Sequence, residues 1–291
     1  MFSVRWVSWL TGLLLTAGCT RNDTHQPVPI AGVRVVSLAP SLTEIVAAVG
    51  GADRLVGRTD VCNYPPAVVA RVPIVGAFGR PFLEAVAAQK PTVLLDVGLE
   101  DETQAASLAR LRVARRHITC QRLDDIPAAI RTVGGIVARQ NAADSLAHQI
   151  ETVIWERRAT LAKTPAAKRP LVFAVIWSDP LIVAGRKSFV SELVTLAGGR
   201  NLGDDLPRDY AEVSMEWVLE RNPDIVLCLF HDASQHARQA VLTRAGWQTL
   251  RAVQTGQVYD AFDLDTILRP GPRVLDGVNQ VQRAIEKGNR L

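Results

Sequence analysis

The sequence predicts an α/β protein built from two similar lobes that a single long α-helix joins. Three observations carry this prediction: short β-branched runs alternate with segments of helical periodicity, a pair of motifs occurs twice in the same order, and one extended amphipathic segment separates the two copies. Apolar runs of this kind are typical of buried parallel strands with helical crossovers. Their alternation with helices indicates the α/β class.

The length and composition agree with two folded lobes. The chain has 291 residues, of which 48% are hydrophobic and 21% are charged, and its formal net charge is +4. This balance excludes a disordered chain. The sequence has no dense basic stripe, so we expect no binding to nucleic acid.

The first residues indicate an export signal and not part of the fold. The apolar stretch from Trp6 to Leu15 is shorter than the about 20 residues that a membrane-spanning helix needs. Leu15–Cys19 reads Leu-Thr-Ala-Gly-Cys, which resembles the bacterial lipobox. We therefore expect a lipoprotein signal peptide at residues 1–18, a lipid on Cys19, a flexible tether at residues 19–31, and a mature protein anchored to a bacterial membrane in the periplasm.

Four short apolar runs predict the central strands. Two of them fall in the first half and two in the second, namely Arg34–Leu38, Thr92–Val97, Leu171–Ile176 and Asp224–Leu229. Each is rich in Val, Ile and Leu and apolar on both faces, which suits strands covered by helices on both sides.

Two motifs recur in the two halves. Glu44–Gly51 matches Glu192–Gly199, and Leu83–Leu95 matches Met215–Leu227. The second motif has a short helix, a proline that ends it and then a buried strand. Two matches in the same order predict two equivalent lobes.

The segment between the repeats predicts a stiff connecting helix at residues 141–165. Its apolar stripe contains Leu146, Ile150, Val153, Ile154 and Leu161. A flexible hinge would be rich in Gly or Ser, whereas a helix of about 23 residues is ~35 Å long and can run along both lobes. The lobes are therefore expected at residues 32–140 and 166–291.

Glu84 and Glu216 are equivalent positions of the repeat. Each is expected in the first turn of a helix, where an acidic side chain gains about 0.3–1 kcal/mol from the helix dipole. That gain alone would explain both residues. The alternative is that they form one acidic contact on each lobe for a pseudo-symmetric partner with basic residues.

The sequence contains no motif typical of an enzyme. We find no phosphate-binding glycine loop, no nucleophile elbow and no zinc-binding His-Glu motif. His231 and His236 fit a solvated loop better than a metal site, so no metal is expected. Among the cysteines, a Cys62–Cys120 disulfide stays open, and Cys228 is expected to be a buried, inert thiol.

Residues that directly follow the strands are the candidates for a ligand site between the lobes. Aromatic residues make up only 5% of the chain, yet Phe78, Trp177 and Tyr210 all fall in such positions. Aromatic faces suit a flat, partly apolar ligand, although anchoring of loops would also explain them. The other candidates are Ser41, Thr43, Cys62–Tyr64, Phe230 and the segment Asp263–Arg273.

The segment Arg269–Arg273 reads Arg-Pro-Gly-Pro-Arg. Its two prolines fix φ and stiffen the loop. The motif is either a rigid entry to the last helix or, together with Asp263 and Asp265, a way for Arg269 to present polar groups to a ligand.

Several of these motifs resemble one family. Val36–Glu44, Cys62–Pro66, Ala184–Phe189 and Arg269–Arg273 are similar to segments of the periplasmic cobalamin-binding proteins. These belong to the helical-backbone receptors of ABC importers, which also include siderophore and haem receptors. The resemblance implies the class III periplasmic binding protein fold, with two Rossmann-like lobes and a single long α-helix, and a monomer with little hinge motion.

The resemblance also implies a transport function without catalysis or a cofactor. Cobalamin or a related corrinoid would be the transported ligand, lined by Phe78, Tyr210, Trp177 and Arg269. Glu84 and Glu216 would dock on arginines of an ABC permease with its ATPase. Val61 and Val97 differ from a relative that has aromatic residues there.

Two alternatives remain at this point. One is a receptor of the same fold for an Fe(III)–siderophore or haem, which would favour several cleft arginines or an axial His or Tyr. The other is a two-lobed α/β enzyme, such as a glycosyltransferase or a metallocluster protein. That class would need a nucleotide loop or clustered Cys ligands.

Overall fold

The computed structural model describes residues 32–230 and 237–288 of the chain. The predicted signal peptide at residues 1–18, Cys19 and the tether at residues 19–31 lie outside the described residues. His231 and His236 also lie outside them.

The first lobe contains a parallel four-stranded sheet with the strand order β2-β1-β5-β6. A two-stranded antiparallel hairpin, β3–β4, accompanies it. The elements are β1 (Val35–Ser37), α1 (Pro40–Ala48), β2 (Leu55–Gly57), α2 (Pro66–Val69), β3 (Gly76–Ala77), β4 (Arg80–Pro81), α3 (Leu83–Ala88), β5 (Val93–Asp96), α4 (Glu102–Ala109), β6 (Ala114–His117) and α5 (Asp125–Ile136).

One helix, α6 (Gln140–Leu161), connects the lobes and packs against α5. Its buried residues are Ala143, Ala147, Ile150 and Ile154. The buried face of α6 therefore includes the small residues Ala143 and Ala147, whereas the predicted apolar stripe contained only larger side chains. Two helices can approach closely there, since a Cβ at Gly134 of α5 would clash with Ala143. Although α6 is long, none of the helices in residues 32–230 and 237–288 is both long and apolar enough to cross a membrane.

The second lobe contains a mixed sheet with the order β10-β8-β7-β11-β12, and β9 also pairs with β7. Strands β7, β9, β11 and β12 pair in parallel, whereas β8 is antiparallel to its neighbours. The elements are β7 (Leu171–Ser178), β8 (Leu181–Ala184), α7 (Phe189–Leu196), β9 (Arg200–Asn201), β10 (Tyr210–Glu212), α8 (Met215–Arg221), β11 (Ile225–Cys228), α9 (Ala237–Thr243), α10 (Arg251–Gln254), β12 (Val258–Tyr259), α11 (Leu264–Leu268) and α12 (Val274–Gly288).

One apolar core extends through both lobes. It includes Val35 and Leu95 from the first sheet, Ile150 from α6, and Val172 and Leu227 from the second sheet. Pulling the lobes apart would expose part of this core, at a cost of about 25 cal/mol per Å² of apolar surface. The shared core therefore opposes a large separation of the lobes, and the predicted α/β class with one connecting helix is confirmed.

The cysteines of the described segments are free thiols. Cys62 Sγ lies 3.2 Å from Thr43 Oγ1 and 3.1 Å from Thr59 Oγ1, while Cys120 Sγ donates a hydrogen bond of 3.3 Å to the Pro270 carbonyl. The disulfide that the sequence left open between Cys62 and Cys120 is therefore not formed. Burial raises the pKa of both the Cys120 and the Cys228 thiol to about 12, so both stay protonated and unreactive.

Candidate functional site

Phe78 lies at the edge of the first sheet where the parallel strands end. The β3–β4 hairpin that carries it is fixed to the loop after β5, because the Glu100 amide donates to the Gly79 carbonyl at 3.0 Å and Arg80 Nε lies 2.7 Å from Glu100 Oε2. Gly79 has φ +70°, which a glycine adopts without strain. The hairpin leaves the Phe78 ring 54% exposed.

Trp177 and Tyr210 share one face of the second sheet. In the strand pairing, Tyr210 lies opposite Ala184 of β8, and Trp177 lies opposite Ile182 of the same strand. Ile182 and Ala184 are two residues apart, so they and their partners face the same side of the sheet. Without a bulge Trp177 would face the same side as Val175. The register shift between Val175 and Trp177 turns the indole to the other face, which is the face whose core is shared with the first lobe.

Both aromatic side chains of this face are half-exposed. Trp177 is 49% exposed and Tyr210 44%. Trp177 Nε1 donates to the Asp179 carbonyl at 2.8 Å, which fixes the indole beside the β7–β8 turn. Partial burial raises the pKa of Tyr210, so its ring is presented as a neutral phenol.

The lobes also meet in a polar network, here called the floor of the cleft. Asn63 of the first lobe donates to Asp265 Oδ2 at 2.6 Å and accepts from Arg269 Nη1 at 2.8 Å. Arg269 in turn pairs with Asp265 at 2.8 Å. The loop after β2 is thus joined directly to α11 of the second lobe.

Arg273 is the centre of this network. Its guanidinium forms a bidentate pair with Glu44, with N–O distances of 2.8 and 2.9 Å, and reaches Asp263 Oδ2 at 3.1 Å. It also lies 4.0 Å above the Tyr64 ring, a cation–π contact. The hydrogen bonds that Arg273 donates to Glu44 raise the pKa of Arg273, so its charge is permanent.

The charges at this floor of the cleft compensate one another. Glu44, Asp263 and Asp265 supply three carboxylates against the guanidinium groups of Arg269 and Arg273, for a formal charge of −1. Sequence reasoning offered two interpretations of this segment, a rigid helix entry or a set of polar groups from Asp263, Asp265 and Arg269 for a ligand. In the structure all three side chains make contacts within the network, because tertiary packing brings Asn63, Glu44 and Arg273 against them.

Some sequence candidates are not at the cleft surface. Thr43 donates to Ser37 Oγ at 2.8 Å and is fully buried, and Ser41, Cys62 and Phe230 are also buried. Conversely, sequence reasoning gave no role to the Glu44 side chain, and it named Tyr64 and Arg273 only as members of candidate ligand-site segments. One signal was present for Glu44: a carboxylate inside an otherwise apolar helix needs a partner.

The two equivalent glutamates are exposed on equivalent helices. Glu84 lies in the first turn of α3 and Glu216 in the first turn of α8. The pKa of Glu216 is lowered by a hydrogen bond from its own backbone amide and by Ser214, the N-cap of α8. Both side chains are exposed to solvent.

Two cavities lie elsewhere in the described chain, and the smaller one, of about 390 Å³, is lined by Arg238, Tyr259 and Gln280. A cavity of about 580 Å³ lies on the flank between Leu123, Leu161 and α7, outside the aromatic cleft. Within residues 32–230 and 237–288 no group of three or more His, Cys, Asp or Glu side chains is placed to hold a metal ion.

Comparison with known proteins identifies the family. The sequence profile described as "Periplasmic binding protein" matches residues 35–263, which is most of both lobes. The chain belongs to the periplasmic binding protein family. Receptors of this family bind solutes and are not enzymes, and the predicted absence of catalysis agrees with this assignment.

The relatives of this periplasmic binding protein are named for two different ligands, vitamin B12 and haem. It is 30% identical over 280 residues to the "Vitamin B12-binding protein" of Pectobacterium carotovorum, covering 96% of this chain and 94% of that one. The crystal structure of the periplasmic vitamin B12 binding protein BtuF of Vibrio cholerae matches with a TM-score of 0.75 at 27% identity, covering 89% and 98%. The periplasmic heme-binding protein RhuT from Roseiflexus sp. RS-1 matches with a TM-score of 0.76 at 24% identity, covering 88% and 98%, and shows likeness of fold alone.

These matches assign the periplasmic binding protein to ABC import. It is a solute-binding protein of an ABC importer, from the group of receptors that includes vitamin B12 and haem binders. The predicted family and transport class are confirmed at this level.

Proposed function

We propose that this receptor captures cobalamin or a closely related corrinoid between its lobes and delivers it to an ABC permease. The lipid anchor at Cys19 would hold it at the membrane, as a monomer, and Glu84 and Glu216 would be its contacts with the permease. The observation that carries the ligand class is the combination of exposed aromatic rings on both lobes with a floor whose charges are already compensated.

A corrinoid fits these surfaces by its shape and charge. It is a large, flat macrocycle with amide side chains, so apolar ring contacts and a few hydrogen bonds suffice to hold it. The similarity to proteins named for vitamin B12, at 30% and 27% identity, supports the same choice.

The same surfaces fit the iron ligands less well. A ferric siderophore anion needs arginines without carboxylate partners, whereas Arg269 is paired with Asp265 and Arg273 with Glu44. Ferric haem would need an axial tyrosinate, whereas Tyr210 with its raised pKa is a neutral phenol in the ligand-free protein and would have to lose its proton to the iron.

Titration of the purified protein with cyanocobalamin, haemin and a ferric siderophore tests the ligand class. We expect cyanocobalamin to bind with a dissociation constant of about 1 μM or lower, and the other two to bind at least tenfold more weakly. Loss of either ring, in Phe78→Ala or Tyr210→Ala, should weaken cyanocobalamin binding by about tenfold, since truncation of a central aromatic contact typically costs more than 1 kcal/mol.

Trp155→Ala is the matched control. Trp155 is 70% exposed on α6, so its loss removes an exposed aromatic residue without touching the cleft. Tighter binding of haemin or of the siderophore would reverse the ligand assignment. If Tyr210→Ala and Trp155→Ala bound cyanocobalamin with equal affinity, the Tyr210 ring would have no role in ligand binding.

A further inference from the structure

Two carboxylates at matching positions of the repeat cross from one lobe to the other. Glu44 of α1 in the first lobe binds Arg273 of the second lobe. Glu192 of α7 in the second lobe binds the Arg122 guanidinium of the first lobe and accepts the Leu123 amide at 2.8 Å. The contacts are therefore reciprocal.

The two carboxylates occupy the same place in the same local structure. Helices α1 and α7 are followed by Gly50 (φ +79°) and Gly198 (φ +98°), which adopt the left-handed conformation that ends a helix. The next amide in each case bonds back into the helix, to the Val46 carbonyl at 2.8 Å and to the Val194 carbonyl at 3.0 Å. The carboxylate thus precedes an equivalent helix end in both lobes.

The two arginines are equivalent as well. Arg122 comes shortly before α5, and Arg273 comes directly before α12. The carbonyl of each accepts the amide three residues later, from Asp125 at 3.2 Å and from Asp276 at 3.0 Å. Each lobe therefore contributes one carboxylate and one arginine to the interface.

The two pairs differ in their surroundings. Glu44 and Arg273 are 5% and 16% exposed, and the Tyr64 ring covers the guanidinium. Glu192 and Arg122 are 16% and 55% exposed, and they line the flank cavity of about 580 Å³. Water and salt weaken a charge pair of the second kind much more than one of the first.

We propose that Glu44–Arg273 and Glu192–Arg122 are two equivalent inter-lobe clasps that position the walls of the cleft, and that the Glu192–Arg122 clasp is the one that opens. Arg122 and Glu192 act through the spacing of the lobes and have no contact with the ligand. The clasps do not depend on which solute the cleft takes.

Distance measurements on the ligand-free protein test this directly. Spin labels at Ala88→Cys on α3 and Glu220→Cys on α8 sit on equivalent exposed positions, one in each lobe. We expect Arg122→Ala to broaden the distribution of label distances and Arg122→Lys, which keeps the charge, to restore it. In the same variants we expect the dissociation rate of the bound solute to rise about tenfold for Arg122→Ala and to stay near the wild-type value for Arg122→Lys.

Arg131→Ala is the control, because Arg131 forms a bidentate pair with Glu151 that joins α5 to α6 and not one lobe to the other. If Arg122→Ala and Arg131→Ala give the same distance distribution, the clasp is refuted. If the distribution broadens but solute dissociation does not change, Arg122 has no positioning role. Failure of every solute to bind the wild-type protein would contradict the proposed function, and the distance distributions would still decide the clasp.

Discussion

Replacement of Arg273 by alanine is expected to lower the free energy of unfolding by about 3–5 kcal/mol, because it leaves a buried carboxylate without its partner. Glu44 is only 5% exposed, and both of its oxygens accept from Arg273. The same change also removes the contact with Asp263 and the cation–π contact with Tyr64. Urea unfolding followed by tryptophan fluorescence measures the difference.

Arg131→Ala provides the comparison within the same protein. Arg131 and Glu151 also form a bidentate pair, with N–O distances of 2.6 and 2.7 Å, but their side chains are 37% and 43% exposed. Solvent screening limits the contribution of such a pair to about 1 kcal/mol or less. If Arg273→Ala lost no more stability than Arg131→Ala, the buried network would not be what fixes the lobes together.

Uptake of cobalamin by cells is expected to fall by about tenfold or more in the double variant Glu84→Ala/Glu216→Ala, while the affinity of the purified receptor stays unchanged. Both carboxylates are exposed at the start of equivalent helices, where they can pair with basic residues of a permease. Close charge pairs across an interface couple by roughly 1.5 kcal/mol or more each, so the loss of two is large. Radiolabelled cyanocobalamin uptake, in cells with the native permease and only the variant receptor, measures the effect.

A matched double variant separates docking from a general loss of negative charge. Glu156 of α6 and Glu286 of α12 are also exposed and lie on other faces. Glu156→Ala/Glu286→Ala should import cobalamin at the wild-type rate. Normal uptake by the Glu84/Glu216 variant would rule out docking through these residues, and unfolding of that variant would assign them to helix stability alone.

Local sequence patterns predicted the strands and helices because burial and periodicity act over short distances. The runs at Thr92–Val97 and Asp224–Leu229 became β5 and β11, and the amphipathic segment became α6. Which residues of α6 are buried was harder to predict, because the close approach of α6 to α5 depends on the small residues Gly134 and Ala143 facing each other.

The floor of the cleft could not be predicted in the same way. Asp265 and Arg269 were predicted as ligand contacts, but their partner Asn63 lies about 200 residues away in the chain, with sequence separations of 202 and 206. Likewise, the direction of Trp177 depends on a register shift in β7 that hydrophobic patterning does not reveal. The repeat did contain the signal for Glu44 and Glu192, since two carboxylates at matching apolar positions need matching partners.

A crystal structure of the protein with bound cyanocobalamin would show directly where the ligand lies. We expect a corrinoid between the lobes, with Phe78 on one side and Trp177 and Tyr210 on the other, above an Asn63–Asp265–Arg269 network that keeps its present hydrogen bonds. A corrinoid bound elsewhere, such as in the flank cavity beside Glu192, or one that pulls Arg269 away from Asp265, would contradict it.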